Sequence, residues 1–216
     1  MKSLKRSSTY IFSRNILLRS MMLIIMGFCS SAVSAQSRLL DSLTLDTLRS
    51  FTSLEEALKN PDKVIKLELR RKKYKTFPKE IFKFRNLQYL DLSKNSIAEI
   101  PPEIEQLKDL QYFSISKNGL EEFPAQMGEL SNLYYLNANQ NNLTGIPVSF
   151  GKLSKLKNLD LWSNNIERFP EELKYMKSLM VMDLRVILIP DAEQDRIQAM
   201  LPHTKVYFSP YCKCQQ

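Results

Sequence analysis

Few residues in this sequence have the types and spacing that catalysis requires. The chain contains one histidine, His203, in a Leu-Pro-His-Thr segment where a surface position is more typical than a general base. The nucleotide-binding motif GxxxxGK[ST], the metalloprotease motif HExxH and the hydrolase motif GxSxG do not occur. Only 5 of the 216 residues are glycine, which disfavours a phosphate-binding loop. We therefore expect no catalytic residue, and a hydrolytic enzyme is a remote alternative.

The cysteines offer no metal or cofactor site. After residue 35 they are Cys212 and Cys214, in a Cys-Lys-Cys sequence near the end of the chain. In an oxidising compartment this pair could form a tight disulfide or link two chains, and the alternative is a terminal tail with little function. Metal binding would need further soft ligands, and only His203 is near. We expect neither a metal nor a cofactor.

The positive charge is concentrated at the start of the chain. Residues 1–35 contain five basic and no acidic residues, so the remainder carries +3 of the net charge of +8. An apolar run over residues 21–29 follows, and then small residues up to Ala35. This order predicts a signal peptide over residues 1–35 that is cleaved near Ala35, leaving Gln36 as the first residue.

Export has consequences for the partners. The apolar run is far shorter than the roughly 20 residues that span a bilayer, so we expect no stable membrane span in the mature chain. An uncleaved anchor over residues 16–29 is the alternative. In a bacterium the mature chain would be periplasmic or extracellular. Nucleic acid is therefore disfavoured as a partner, despite the sequence pI of about 9.3.

A 23-residue period runs through the rest of the chain. The frame Leu87-x-x-Leu90-x-Leu92-x-x-Asn95 returns in the three following segments, with weaker copies before and after. Its asparagines, which we expect to satisfy backbone groups of the turn and of the adjacent repeat, are Asn95, Asn118, Asn141 and Asn164. Prolines recur with the same period, at positions 78, 101, 124, 147 and 170.

These motifs resemble the 23-residue class of the leucine-rich-repeat family, which has an L-P-x-x-I-x-x-L half-repeat. Secreted bacterial leucine-rich-repeat proteins are the nearest analogy. The resemblance covers residues 64–201, about six repeats. It implies an α/β repeat fold, a curved solenoid with parallel strands on its concave side. Each strand buries alternate apolar residues in a shared core, which neighbouring repeats must complete by stacking.

The flanks of the repeats predict caps. Ser53 and Glu56 form a capping-box signature before a short helix. After the repeats, residues 192–201 have a helical pattern, and residues 205–208 have that of a closing strand. The predicted organisation is a signal peptide (1–35), an N-terminal linker and capping helix (36–63), the repeats (64–201), and a C-terminal cap strand and tail (202–216).

The outward strand positions predict a binding surface. They form columns across the repeats, and aromatic residues with polar groups often carry binding energy. The residues that we expect to contact a protein or peptide ligand are Tyr89, Tyr112, Tyr135, Asn137, Asp160, Trp162 and Arg185. The alternative is that the tyrosines only pack against one another along the sheet. Family members without an enzymatic domain generally are recognition modules, so the resemblance implies an exported recognition or adhesion module.

A second candidate surface is the basic run of the first repeat. Residues 64–86 contain nine basic and two acidic residues. We define the basic patch as Arg70, Arg71, Lys72, Lys73 and Lys75. Such a patch could dock on acidic glycan, a membrane surface or an acidic protein. The alternative is a solvated charged end that keeps the solenoid soluble. The sequence does not indicate an oligomeric state.

Overall fold

The structure is a computed structural model and describes residues 39–209. The predicted signal peptide, its cleavage site near Ala35, and the cysteines Cys212 and Cys214 lie outside the described residues.

Seven short parallel strands form one sheet, ordered as they follow in the chain. From β1 to β6, pairing residues are 23 positions apart, so that Leu90 lies opposite Phe113 and Leu136 opposite Leu159. The expected parallel strands are thus present, in the expected register. Their bounds are β1 Lys66–Glu68, β2 Tyr89–Asp91, β3 Tyr112–Ser114, β4 Tyr135–Asn137, β5 Asn158–Asp160, β6 Val181–Leu184 and β7 Lys205–Phe208.

A 3-10 helix returns the chain in each of the first five repeats, and an α-helix, Asp191–Met200, does so in the sixth. Each of these 3-10 helices begins directly after a periodic proline, whose fixed φ and missing N–H suit an irregular segment outside the sheet. Their bounds are Lys79–Lys83, Pro102–Gln106, Ala125–Glu129, Val148–Lys152 and Glu171–Tyr175, and a further short one precedes β1 at Pro61–Lys63.

The core lies between the strands and the returning helices. The inward residue of each of the six repeat strands is buried, and each stacks on its neighbours in the next repeats. Together with the periodic apolar residues of the 3-10 helices, they form one continuous cluster. Because each repeat buries only part of its own apolar surface, stability depends on this stacking. The six inward strand residues are Leu67, Leu90, Phe113, Leu136, Leu159 and Met182.

Both ends of the core are covered as expected. The α-helices of the described residues are α1 Ser42–Thr47, α2 Leu54–Leu58 and α3 Asp191–Met200. Helix α2 (Leu54–Leu58) follows Ser53, whose hydroxyl accepts a hydrogen bond from the Glu56 amide at 3.4 Å. Phe51 pairs with Leu67 and so extends the sheet by one bridge. At the other end, helix α3 (Asp191–Met200) leads into β7, which pairs with β6.

One helix has no counterpart among the sequence predictions. Helix α1 (Ser42–Thr47) begins after Asp41, whose carboxylate accepts hydrogen bonds from the amide and the hydroxyl of Thr44. These bonds lower the pKa of Asp41. Across residues 39–209, no helix has the length and apolar character needed to cross a membrane.

Candidate functional site

Three tyrosines form a continuous stack on the concave surface. Because in-register parallel strands repeat about every 4.8 Å, equivalent side chains lie face to face. The ring centroids of Tyr89 and Tyr112 are 4.0 Å apart, and those of Tyr112 and Tyr135 are 4.5 Å apart, with interplanar angles of 0° and 4°. We call Tyr89, Tyr112 and Tyr135 the tyrosine stack.

The tyrosine stack is half-buried and keeps its hydroxyl groups protonated at neutral pH. Burial raises the pKa of Tyr89 to about 12 and raises the pKa values of Tyr112 and Tyr135 as well. One end of the stack is covered by Lys66, whose ammonium lies 4.6 Å from the Tyr89 ring centroid. The surface therefore presents apolar ring edges together with neutral groups that can donate hydrogen bonds.

The surface continues beyond the tyrosines in a more polar region. Trp162 is half-buried on the repeat that follows Tyr135. Arg185 binds the Asp183 carboxylate through Nε at 3.0 Å and Nη2 at 2.6 Å. Its guanidinium also lies 5.5 Å from the Tyr207 ring centroid. Sequence reasoning missed Tyr207, although the predicted closing strand places it in the same column as Asp183.

The next outward strand position after the tyrosines has acidic and amide residues in several repeats, and these residues hold the strand ends in place. In four repeats, a side-chain oxygen accepts a hydrogen bond from the backbone amide two residues later. Asp160 also accepts one from Asn139 Nδ2 at 2.7 Å, and burial raises the pKa of Asp160. Asn137 and Asp160 therefore shape the concave surface through bonds inside the chain. The four accepting residues are Asp91 at 2.8 Å and Asn137, Asp160 and Asp183, each at 3.1 Å.

The periodic asparagines bridge adjacent repeats. Asn141 donates through Nδ2 to the Ile115 and Ala138 carbonyls at 3.1 and 3.0 Å, and its Oδ1 accepts from the Leu120 amide at 3.1 Å. The same inter-repeat pattern recurs at Asn95, Asn118 and Asn164. Each asparagine thus satisfies backbone groups of its own turn and of the preceding repeat.

Replacing Asn141 with alanine should lower the free energy of unfolding by about 1–3 kcal/mol, because buried backbone groups lose their partners. Asn142→Ala is the matched control, since Asn142 is the exposed neighbour and should change stability by no more than about 0.5 kcal/mol. Urea denaturation followed by circular dichroism measures both. Equal effects at the two positions would contradict the bridging role.

The basic patch is larger than the sequence predicted. Its five residues are exposed, and Arg70 forms an ion pair with Asp91 at 2.9 Å. The patch continues into Lys94 and Lys117, which occupy the position of Arg71 in the next two repeats. The charge of Arg71 is the main cause that lowers the pKa of Lys94, and desolvation and the charge of Lys117 add to it. The 23-residue spacing of Arg71, Lys94 and Lys117 was the signal that could have revealed them.

The same position has an unusual backbone conformation. Residues here adopt the left-handed region with φ between 52° and 61°, although Gly or Asn would do so with less strain. The strain is greatest in principle at Val186, which is β-branched and has φ 61°. The residues at this position are Arg71, Lys94, Lys117, Gln140, Ser163 and Val186.

The described residues offer few candidates for catalysis or metal binding. Among residues 39–209, no group of three or more His, Cys, Asp or Glu side chains is placed to hold a metal ion. His203 is exposed in the segment between α3 and β7. The features that stand out are surfaces suited to contact a macromolecule.

Short parallel strands, stacked in register and joined by 3-10 helices, define a repeat solenoid. The family described as leucine-rich repeat region matches residues 45–203. The chain therefore belongs to the leucine-rich-repeat family. No curated protein sequence matches it significantly.

Solved structures with the same fold come from bacteria and plants. A leucine-rich-repeat protein of Leptospira interrogans is 27% identical, with a TM-score of 0.59 over 76% of this chain and 47% of that one. The plant peptide hormone receptor RGFR1, in complex with RGF2, is 33% identical, with a TM-score of 0.53 over 62% of this chain and 22% of the receptor. Internalin C2 of Listeria monocytogenes is 24% identical, with a TM-score of 0.61 over 73% and 66%. This chain thus spans less than half of the Leptospira chain.

Proposed function

We propose that this chain is an exported recognition or adhesion module that binds a protein or peptide ligand on its concave surface. The observation that carries the proposal is the half-buried tyrosine stack, followed by Trp162 on the next repeat. Tyrosine and tryptophan bury a large area at low entropic cost, and they are enriched among residues that dominate binding energy. Because the rings are already ordered by one another, little further entropy is lost when a ligand covers them.

Similarity supports a binding role for the chain. The plant receptor with which it shares 33% identity was solved with a peptide hormone ligand. Repeat solenoids in general offer extended concave surfaces to macromolecules. On this proposal Tyr89, Tyr112, Tyr135 and Trp162 contact the ligand, while Asn137, Asp160 and the Asp183–Arg185 pair hold or flank the surface.

A second candidate function is electrostatic docking of the basic patch on acidic glycan or a membrane surface. The column Arg71, Lys94 and Lys117 favours it, because repulsion between these cations would be relieved by an anionic partner. Binding of this kind weakens steeply as salt increases, whereas binding by aromatic residues does not. The salt dependence of a captured complex therefore separates the two functions.

The test of the proposed function is capture of a partner with the mature chain as bait. A chain with Tyr112 and Tyr135 both changed to alanine serves as the matched bait. A partner retained by the wild type and lost by the double variant supports the proposal. A partner retained equally by both would place binding elsewhere.

The export proposal makes its own prediction. The mature chain should begin at Gln36, because residues 1–35 combine a basic start, an apolar run and small residues before the cleavage site. N-terminal sequencing of the exported product measures this directly. A product that begins at Met1 would contradict a cleaved signal, and one that begins at Cys29 would indicate a lipoprotein.

A further inference from the structure

A segment before the repeats lies along the edge of the concave sheet where the strands begin. We call Leu39–Thr47 the strap segment. The Leu40 amide donates to Gln88 Oε1 at 2.8 Å, and Gln111 Nε2 donates to the Leu40 carbonyl at 2.8 Å. Gln111 Nε2 also donates to Gln88 Oε1 at 2.9 Å, which closes the ring of contacts. Two side-chain amides of adjacent repeats thus bind both polar groups of one backbone residue.

A second anchor lies at the first repeat. Lys66 Nζ donates to the Leu45 and Asp46 carbonyls, each at 3.0 Å, in the last turn of α1. A cation is favourable there, because the carbonyls of a last turn lack partners within the helix. Lys66 is 7% exposed and also covers the Tyr89 ring. The strap segment and the tyrosine stack therefore meet at one ammonium group.

The strap segment buries one of its leucines and exposes another. Leu45 is fully buried, whereas Leu43, on the same short helix, is 78% exposed. Leu45 is not part of the continuous core of the repeats. Its burial is therefore separate from that of the periodic leucines of the repeats.

These contacts are the kind by which a protein binds a peptide. Gln88 and Gln111 recognise a backbone unit, Lys66 recognises two carbonyls, and burial selects an apolar side chain five residues after the recognised unit. Helix α1 has six residues, and a helix this short is marginal in water without such docking. The strap segment is thus arranged as a ligand that belongs to the same chain.

We propose that Lys66, Gln88 and Gln111 form a peptide-binding site that the strap segment occupies in the free chain. A partner binds there by presenting a leucine-bearing peptide segment that displaces the strap segment. The inference rests on the proposed binding function. It adds the class of ligand, a leucine-bearing peptide, and the segment that this ligand displaces. Displacement also releases the Lys66 ammonium, which lies beside the tyrosine stack, from the two strap carbonyls, so the incoming peptide reaches both features.

The test uses the full mature chain and a labelled synthetic peptide of residues 39–48. Leu45→Asp in the chain should release the strap segment, and Leu43→Asp is the matched control at an exposed leucine. Fluorescence anisotropy should show that the Leu45→Asp chain binds the peptide at least about 10-fold more tightly than the wild type or the Leu43→Asp chain, because the occupied fraction of the site falls. A peptide carrying Leu45→Asp should lose binding, and one carrying Leu43→Asp should retain it.

Two further variants keep the result decisive. Leu40→Pro removes the amide that donates to Gln88, and it should release the strap segment without placing a charge at Leu45. In either released chain, Lys66→Met should abolish peptide binding. Circular dichroism serves as the control that each variant is folded. Folded released chains that bind the peptide no better than the wild type overturn the inference.

The outcome is separable from that of the proposed function. A captured partner that depends on Tyr112 and Tyr135, but binds wild-type and released chains equally, would overturn the strap inference and leave the concave-surface function intact. Peptide binding by the released chain, together with a partner whose binding does not depend on Tyr112 and Tyr135, would support the strap inference and overturn the concave-surface function.

Discussion

Replacing Leu136 with alanine should lower the free energy of unfolding by about 2–5 kcal/mol. Leu136 is fully buried on β4, the central strand, between Phe113 and Leu159 of the adjacent repeats. The variant loses the burial of the side chain and leaves a cavity that fixed neighbours on both sides cannot fill. Chemical denaturation followed by circular dichroism measures the loss.

Leu43→Ala is the matched control for this change. It removes the same atoms from a side chain that is 78% exposed, so its effect should stay within about 0.5 kcal/mol. If Leu136→Ala were as mild as the control, Leu136 would not lie in a tightly packed core, which would contradict the structure.

Changing Tyr112 and Tyr135 together to alanine should weaken ligand binding by about 2 kcal/mol or more, which corresponds to roughly 30-fold in Kd. The rings of these two residues stack at 4.5 Å between centroids. The change removes both rings from the centre of the proposed surface. Neither residue belongs to the continuous core, so the fold should persist. Calorimetry on a captured partner measures the effect.

Two controls separate this effect from general surface changes. Tyr175→Ala removes a tyrosine that is 57% exposed on a returning 3-10 helix, and it should leave binding unchanged. Neutralising Arg70, Arg71, Lys72 and Lys73 should cost less than the tyrosine change, and that cost should shrink as salt screens the charges. Loss of all binding in the neutralised chain, with the tyrosine variant unaffected, would assign the site to the basic patch.

The repeats were predictable because one physical requirement recurs every 23 residues. The leucines and asparagines of a repeat, such as Leu90 and Asn95, must face the core and the turn in every copy, so the periodicity specifies both strand and register. The tyrosine stack followed from the same logic, since equivalent outward positions of parallel strands are neighbours. Only the ring distances had to come from the structure.

The contacts between the strap segment and the repeats were not predictable. The strap segment reaches Gln88 and Gln111 across 48 and 71 positions of sequence, and nothing in those residue types indicates the contact. The polar column shows a different limit. Its outward position suggested that Asn137 and Asp160 face a ligand, but a short side chain can equally bend back to the amide two residues later, as both do here.

The position of Trp162 has a practical consequence. It is the sole tryptophan of the chain, it is half-buried on the concave surface, and its backbone is fixed by bonds to Asp160 and Gln140. Fluorescence that is excited selectively in tryptophan therefore comes from Trp162 alone. A ligand that covers the Trp162 ring excludes water from it and shifts the fluorescence to shorter wavelength. The fluorescence of the unlabelled protein therefore indicates whether a ligand occupies this part of the concave surface.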